Sequence, residues 1–446
     1  MTRSMLVRLV RCLIYPTDMI VSAIILIHVT VVLFLVIRLR RPGGKPKWKR
    51  RLVCLNPMTW EDIQKKGVVE HALLLNRDNY WERFYLVHPM VSHDQEVHLR
   101  NNITILEFKG DRHPRLRGIG FRALSRLSAE FDFVRLMTAF IRENEVAVIK
   151  SQEPYLMGAR SLVLKATTGC PVVEDIRCDY DLSYKNTGKP VYRILKLRRL
   201  EKILEKTVLR NVDAIFAGNE HLRQYALRNG ASPKKTFTVR PIMPAEMHLA
   251  PLSERRNLRK ELGVNGKKAI LYCGRLHPEK NSEDVVRALP YVQKEFPQSI
   301  LLLVGDGPQR EELKELARQL AVSHSIVFLG FQRAEQVRDL LYSADVIVAT
   351  LMGSALVESA LSSRPVVAYD VEWHSELIRN EETGLLVPYK DYKAMAFAIL
   401  RVLRNPREAD SWGKNAREYA LLLFNRKRIL SIERESFETV LDGGHD

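Results

Sequence analysis

The sequence predicts an α/β chain built on two parallel sheets, and three observations carry that reading. Short apolar runs rich in β-branched residues alternate with segments of helical spacing, glycines and polar residues gather where the runs end, and the pattern occurs twice. In the second half the runs are Ala269–Cys273, Ile300–Val304, Ile326–Leu329, Val346–Ala349, Pro365–Ala368 and Leu385–Val387, with lengths that suit strands buried on both faces. Between them lie helical patterns such as Asp284, Val285, Ala288, Leu289, Val292 and Leu313, Leu316, Ala317, Leu320. In the first half the strand candidates are Leu52–Leu55, Phe84–His88, Ile103–Phe108, Val146–Lys150, Pro171–Ile176, Ala214–Ala217 and Thr236–Val239. Crossovers in such sheets are right-handed, and ligands bind at the carboxyl ends of the strands.

Four strand ends in the second half carry chemistry. After the first come Gly274, Arg275 and, five residues on, Lys280: two fixed cations suited to a diphosphate and to charge growing on it. After the second comes the turn Gly305-Asp306-Gly307-Pro308, and after the third Gly330-Phe331. After the fourth, Gly353 and Ser354 precede a helix starting near Ala355 and Leu356, whose free amides can meet phosphate oxygens. Glu358, placed on the first turn of that helix, can take the two hydroxyls of a ribose. Each feature alone has an ordinary structural reading, a turn or a dipole-complementing acid. Their joint order and spacing point to a nucleotide-sugar site.

The segment resembles the C-terminal, donor-binding domain of the retaining glycosyltransferase family 4, which has the GT-B fold. The resemblance implies two Rossmann-like parallel-sheet domains facing across a cleft. It also implies that Gly274, Arg275 and Lys280 hold the donor diphosphate, and that Gly305, Gly307, Phe328 and Gly330 match the family's glycine turns, the latter pair bordering the base pocket. Glu358 matches the second, ribose-binding glutamate of the family signature. The first glutamate is missing, because the position eight residues earlier is Thr350. The loop Leu351-Met352-Gly353-Ser354-Ala355-Leu356 is similar to that of a family branch in which backbone amides, not a carboxylate, face the sugar and diphosphate.

The first half matches the family less closely. Asp213 to Glu220 followed by Ala226 to Gly230 looks like its strand and helix before the interdomain link, which here reads Arg240-Pro241-Ile242-Met243-Pro244. The Gly-rich first loop is replaced by Lys65-Lys66-Gly67-Val68-Val69-Glu70. Acceptor-side candidates are Glu153, at one strand end, and Arg177 and Asp179, at the next. Arg177 can bind sugar hydroxyls or phosphate, or else pair with its acidic neighbours.

The N-terminus bears on location. Met19 to Ile37 is an uncharged apolar run long enough for a hydrocarbon layer of ~30 Å, and the basic residues after it exceed those before it. This predicts a transmembrane helix with the catalytic part facing the cytoplasm, as in a bacterial inner-membrane protein. The domains read as a short segment 1–18, the span 19–37, a basic juxtamembrane linker 38–51, an acceptor domain 52–240 and a donor domain 241–424. A terminal helix 425–446 then packs back on the N-terminal domain. The net charge is +18, and eight of the cations sit in or beside the linker, where each contributes ~1 kcal/mol on anionic headgroups. Another group, from Arg193 to Arg210, alternates with leucines on one amphipathic helix. No nucleic-acid motif accompanies them, so membrane and phosphorylated substrates are the expected partners. Five cysteines without a Cys-x-x-Cys pair support neither a disulfide framework nor a zinc site.

The chemistry implied is retaining transfer of a hexose-type sugar from a nucleoside diphosphate to a lipid-linked or glycan acceptor. Arg275, Lys280 and Glu358 are the catalytic residues. No Asp-x-Asp is placed for a metal, so neither metal nor other cofactor is expected. The alternatives are a non-catalytic scaffold in a glycan assembly complex and a sugar-nucleotide 2-epimerase, which shares the fold.

Overall fold

A computed structural model describes residues 49–443 except 66–68, 70–71, 73–74, 77, 111–121, 192–197, 243–248 and 250. The Met19–Ile37 segment, most of the basic linker, Cys12, most of the Lys65–Glu70 loop and the end of the Arg240–Pro244 link therefore lie outside the described residues. Among the described residues, no helix is long and apolar enough to cross a membrane. The chain forms two compact units.

The first unit comprises the described residues up to Cys178, Lys189–Val239 and those from Ser431 onward. Its strands are β1 (Lys49–Leu55), β2 (Arg83–Val91), β3 (Gln95–Leu99), β4 (Ile103–Lys109), β5 (Val146–Ser151), β6 (Val172–Ile176), β7 (Ala214–Ala217) and β8 (Thr236–Thr238). They form one sheet in the order β3-β4-β2-β1-β5-β6-β7-β8. Every pairing is parallel except β3 with β4, a hairpin on the edge that the sequence reading did not anticipate. Its burial alternates between half-buried and exposed along Gln95–Leu99, so it lacks the continuous apolar run that marks the central strands.

The helices Arg122–Glu143, Leu156–Thr168 and Arg198–Asn211 pack side by side along one face, each being the crossover to the next strand. The opposite face receives the end of the Arg426–Leu441 helix. There Phe437 makes edge contacts with Phe216 at 4.8 Å and Trp81 at 4.9 Å. Asp175, buried on β6, holds two cations on this face, Lys150 Nζ at 2.9 Å and Arg177 Nε at 2.6 Å. Burial alone would raise the Asp175 carboxyl, but the two cations outweigh it and hold it below the usual range. Its neighbour Glu174 accepts instead from the Ser151 hydroxyl. Burial pushes Glu174 well above the carboxylate range.

The second unit comprises Asp179–Gly188 and Arg240–Leu430. Its strands are β9 (Lys268–Cys273), β10 (Ser299–Val304), β11 (Ile326–Gly330), β12 (Val346–Ala349), β13 (Val366–Asp370) and β14 (Leu385–Pro388), all parallel, in the order β11-β10-β9-β12-β13-β14. β9, β10, β12 and β13 are buried almost throughout and supply much of a single core with Leu289, Leu356, Trp412 and Ala416. The short helix Tyr180–Thr187, although it follows β6 in sequence, belongs to this unit: Leu182 packs on its core and Asn186 donates to the Tyr389 hydroxyl at 3.1 Å. Of the described cysteines, Cys54, Cys170 and Cys273 are buried free thiols, and Cys178 is partly buried.

Candidate functional site

The order of the second sheet reverses beside β9. The chain runs from β9 outward through β10 to β11, then returns to lay β12 on the other side of β9. The gap between the carboxyl ends of β9 and β12 is thus a topological switch point, the usual place for a ligand in such a sheet. The loop after β9 carries Gly274, Arg275 and Lys280, and the loop after β12 carries Met352 to Ala355.

Backbone contacts fix the first loop. Gly274 N donates to Val304 O (2.9 Å), Leu276 N to Asp306 O (3.0 Å) and Gln309 N to Leu276 O (3.0 Å). This lacing explains the glycine turn after β10. Gly305 has φ of 129°, and a Cβ there would lie 2.0 Å from Gly274 O; at Gly307 it would lie 2.3 Å from Leu276 O. Above this floor, Arg275 is exposed, with no carboxylate partner among the described residues. Lys280 ends a short 3-10 turn, Pro278–Lys280, which His277 caps by accepting from Glu279 N. Asn281 then takes a left-handed conformation, φ 51°, tolerable for asparagine, and opens the Ser282–Gln293 helix.

Thr350, at the position of the missing glutamate, is fully buried and turned inward. Its hydroxyl donates to the carbonyl oxygen of Lys280, so the two loops are tied together at the switch point. No carboxylate stands at that position to face a ligand. Beyond it, Leu351 and Met352 are buried while Gly353 and Ser354 are exposed. A Cβ added at Gly353 would meet nothing within 4 Å, so the space above the loop is open. Neither strand nor turn takes the Gly353, Ser354 and Ala355 amides, which leaves three donors at the start of the Ser354–Leu361 helix.

His374 sets the position of this loop, and the sequence reading missed it. Its ring is completely buried between two segments, with Nδ1 3.0 Å from Tyr369 O and Nε2 3.0 Å from Met352 N. Only the neutral tautomer protonated at Nδ1 satisfies both contacts, donating to the carbonyl and accepting from the amide. Burial pushes His374 down to about 4. The one signal in the sequence was a histidine shortly after the β13 run.

Glu358 lies on the second turn of the helix, not the first, because the helix begins at Ser354. It therefore does not serve as a dipole-complementing cap. It is half-buried, and burial raises its carboxyl above the usual range. The Cys273 thiol, at the end of β9, is pushed up to about 12 by burial and further by the Glu358 charge, which puts this carboxylate beside the β9 end. Leu356 is buried in the core beneath. On the far side, Gly330 ends β11 with φ of 67°, its carbonyl accepting from Gly305 N at 2.8 Å, and Phe331 is 79% exposed.

The acceptor-side candidates are engaged elsewhere. Glu153 is buried and caps the Leu156–Thr168 helix, accepting from Tyr155 N (2.8 Å) and from Met157 N. Asp179 caps the Tyr180–Thr187 helix, accepting from Asp181 N (3.0 Å) and Leu182 N (2.9 Å). Arg177 is fixed to Asp175, with its side chain 35% exposed. Among the described residues, no group of three or more His, Cys, Asp or Glu side chains is arranged to hold a metal ion.

Residues 254–419 match the family model for glycosyl transferases group 1. An uncharacterized glycosyltransferase of Methanocaldococcus jannaschii is 34% identical over 37% of this chain and 42% of its own length. The alpha-monoglucosyldiacylglycerol synthase of Streptococcus pneumoniae is 26% identical over 59% of this chain and 60% of its own. The chain spans about half the length of the curated relatives it matches. Among solved structures, Anabaena HepE in complex with UDP superposes with a TM-score of 0.67 at 18% identity, covering 88% of this chain and 99% of that one. Sucrose-phosphate synthase from Thermosynechococcus elongatus gives 0.68 at 20% identity, covering 89% and 100%. These likenesses establish the GT-B-type fold of parallel sheets. The match over residues 254–419, together with these relatives, supports a glycosyltransferase of the family 4 type with a C-terminal donor-binding domain.

Proposed function

We propose that this protein is a membrane-anchored retaining glycosyltransferase that moves a hexose-type sugar from a nucleoside diphosphate to a lipid-linked or glycan acceptor. The observation that carries the reading is the convergence at one switch point of the cationic Arg275–Lys280 loop, the three open amides of Gly353, Ser354 and Ala355, and the Glu358 carboxylate. The solved HepE structure holds UDP, and the pneumococcal relative is named for a glucosyl lipid product, which supports both halves of the proposal.

In this reading Arg275 and Lys280 bind the diphosphate and offset the charge that gathers on it as the glycosidic bond breaks. The amides of residues 353–355 take phosphate or sugar oxygens, Glu358 accepts from the ribose hydroxyls, and Phe331 and Gly330 border the base. With Thr350 turned inward, no side-chain carboxylate replaces the family's first glutamate. Front-face attack through a short-lived oxocarbenium ion then accounts for retention, the acceptor proton leaving toward the departing diphosphate. The predicted span 19–37 and linker 38–51 would hold the catalytic units at the cytoplasmic face of a bacterial inner membrane, beside such acceptors.

Calorimetric titration with a panel of nucleoside diphosphates and their sugars tests the proposal. One nucleotide should bind, and Arg275→Ala should weaken it roughly 10- to 100-fold, the loss of one charge-assisted contact. Unchanged affinity in both Arg275→Ala and Glu358→Ala would overturn the site.

A further inference from the structure

Three helices cover one face of the first unit's sheet, and their burial patterns show which side of each looks outward. Along Arg122–Glu143, residues Ala129, Phe133, Met137 and Ile141 are buried at a spacing of four. The opposite stripe bears Phe131, which is 69% exposed, and Arg135, also exposed. Along Arg198–Asn211, residues Glu201, Leu204, Glu205 and Val208 face inward, which leaves Arg199, Ile203, Lys206 and Arg210 on one outer stripe. Ile203 is 56% exposed.

The Leu156–Thr168 helix lies between these two and presents half-buried residues outward, Ala159 and Val163 among them, with Lys165 held by Asp213 at 2.8 Å. The face is thus an apolar strip between two ridges, one with Phe131 and Arg135 on its outer stripe and the other with Ile203 among Arg199, Lys206 and Arg210. Arg199, Lys206 and Arg210 have no carboxylate partner among the described residues. Arg135 is only loosely paired, with Asp132 at 4.0 Å. Glu143 is the exposed acid of the stripe and sits at the far end of its helix.

We propose that this face docks on an anionic lipid bilayer, with Phe131 and Ile203 entering the headgroup layer and Arg135, Arg199, Lys206 and Arg210 on its phosphates. The combination selects the occupant. Cations alone would suit any polyanion, but exposed aromatic and aliphatic side chains set among them match a surface that is charged outside and apolar just beneath. The inference deepens the membrane part of the proposed function and rests on it only for the nearness of a bilayer. It adds a second contact, made by the folded first unit and independent of residues 1–48. Its consequence is orientation: a tether alone leaves the unit free to turn, whereas the cations of the Arg198–Asn211 helix, with Arg135 across the strip, fix which side meets the lipid.

The test uses the full chain in vesicles of phosphatidylcholine, alone or with about a third phosphatidylglycerol. A fluorophore is placed through Ile203→Cys or Phe131→Cys, in a background of Cys12→Ser and Cys178→Ser, and is quenched by lipids with a nitroxide headgroup. Glu96→Cys, on the edge hairpin, is the reference position. Quenching at 203 and 131 should be several-fold that at 96 in the anionic vesicles. It should fall to the reference level in high salt and in the variant Arg199→Glu/Lys206→Glu/Arg210→Glu, whose fold is checked by circular dichroism. Quenching at 203 no greater than at 96 would overturn the proposal, as would quenching equal in both lipids and indifferent to the triple variant. Protection of the label only by added RNA or by a soluble protein would overturn it as well. Because quenching needs no donor, a failure of every nucleotide to bind would sink the transferase reading and leave this result standing.

Discussion

Acidification tests the role given to His374. The folded ring is neutral and holds its place between Tyr369 O and Met352 N, with a value of about 4, whereas an exposed histidine titrates near 6.5. Between those two values the unfolded chain binds a proton that the folded chain refuses. Stability is therefore unaffected by this group above 6.5 and falls as the pH drops toward 4. The shift corresponds to about 3 kcal/mol once the pH is below both values, and to about 2 kcal/mol at pH 5. Urea unfolding across this range, read against His374→Gln, isolates the contribution. The variant should be weaker at neutral pH by roughly 1–3 kcal/mol, since the Met352 amide or the Tyr369 carbonyl loses its partner. Its stability should also fall less steeply with acid than that of the native chain. A native-like pH slope in His374→Gln would refute the argument. A purely structural histidine would change stability alone. One that positions the loop should also weaken nucleotide binding when measured at neutral pH, where both proteins are folded.

Three further outcomes follow from the geometry. Thr350→Val keeps the shape but removes the hydroxyl from Lys280 O; it should cost about 1 kcal/mol of stability and lower kcat more than it raises KM, as steady-state assays with the identified donor will show. Gly305→Ala places a methyl 2.0 Å from Gly274 O in a backbone that alanine resists; nucleotide binding should be lost while thermal unfolding of the first unit is retained. In the first unit, Asp175→Asn strands Lys150 and Arg177 together without their shared carboxylate, and should cost about 3–5 kcal/mol. Lys150→Met should cost less, because Asp175 keeps Arg177; the order of the two urea midpoints decides it.

The central strands were legible because both faces are buried, so their apolar runs stand out, and runs such as Val346–Ala349 and Ala214–Ala217 end where the strands do. The edge strand Gln95–Leu99 was not, since an exposed hairpin needs no such run. The glycine turns after β9 and β10 were legible because turn chemistry is local. His374 and Thr350 were not, because each acts on a carbonyl or amide more than 20 residues away. Glu153 and Asp179, read as acceptor-side candidates, also accept backbone amides at helix starts, which the sequence reading did not foresee. An acid two to four residues ahead of the amides it caps carries that signal, and cap chemistry is the commoner use of such a residue.

The loss of the first signature glutamate and the burial of Thr350 are one structural fact seen from two sides. A carboxylate at position 350 would have to leave the gap between β9 and β12 to find solvent or a ligand, and could not then donate to Lys280 O. A threonine can stay, because its hydroxyl satisfies that carbonyl while the whole side chain is buried. The tie shortens the reach between the Lys280 turn and the Met352–Ala355 loop, which His374 fixes from the other side. Positive charge and open amides are thus held on two loops that cannot drift apart, and under the proposed function this preorganisation would act at the diphosphate. The corollary separates the two designs: Thr350→Glu should not restore a family-like sugar contact but should bury an unpaired acid and break the tie. Loss of nucleotide affinity in that variant, measured by calorimetry, is the expected outcome; unchanged or tighter binding would mean that position 350 faces the ligand after all.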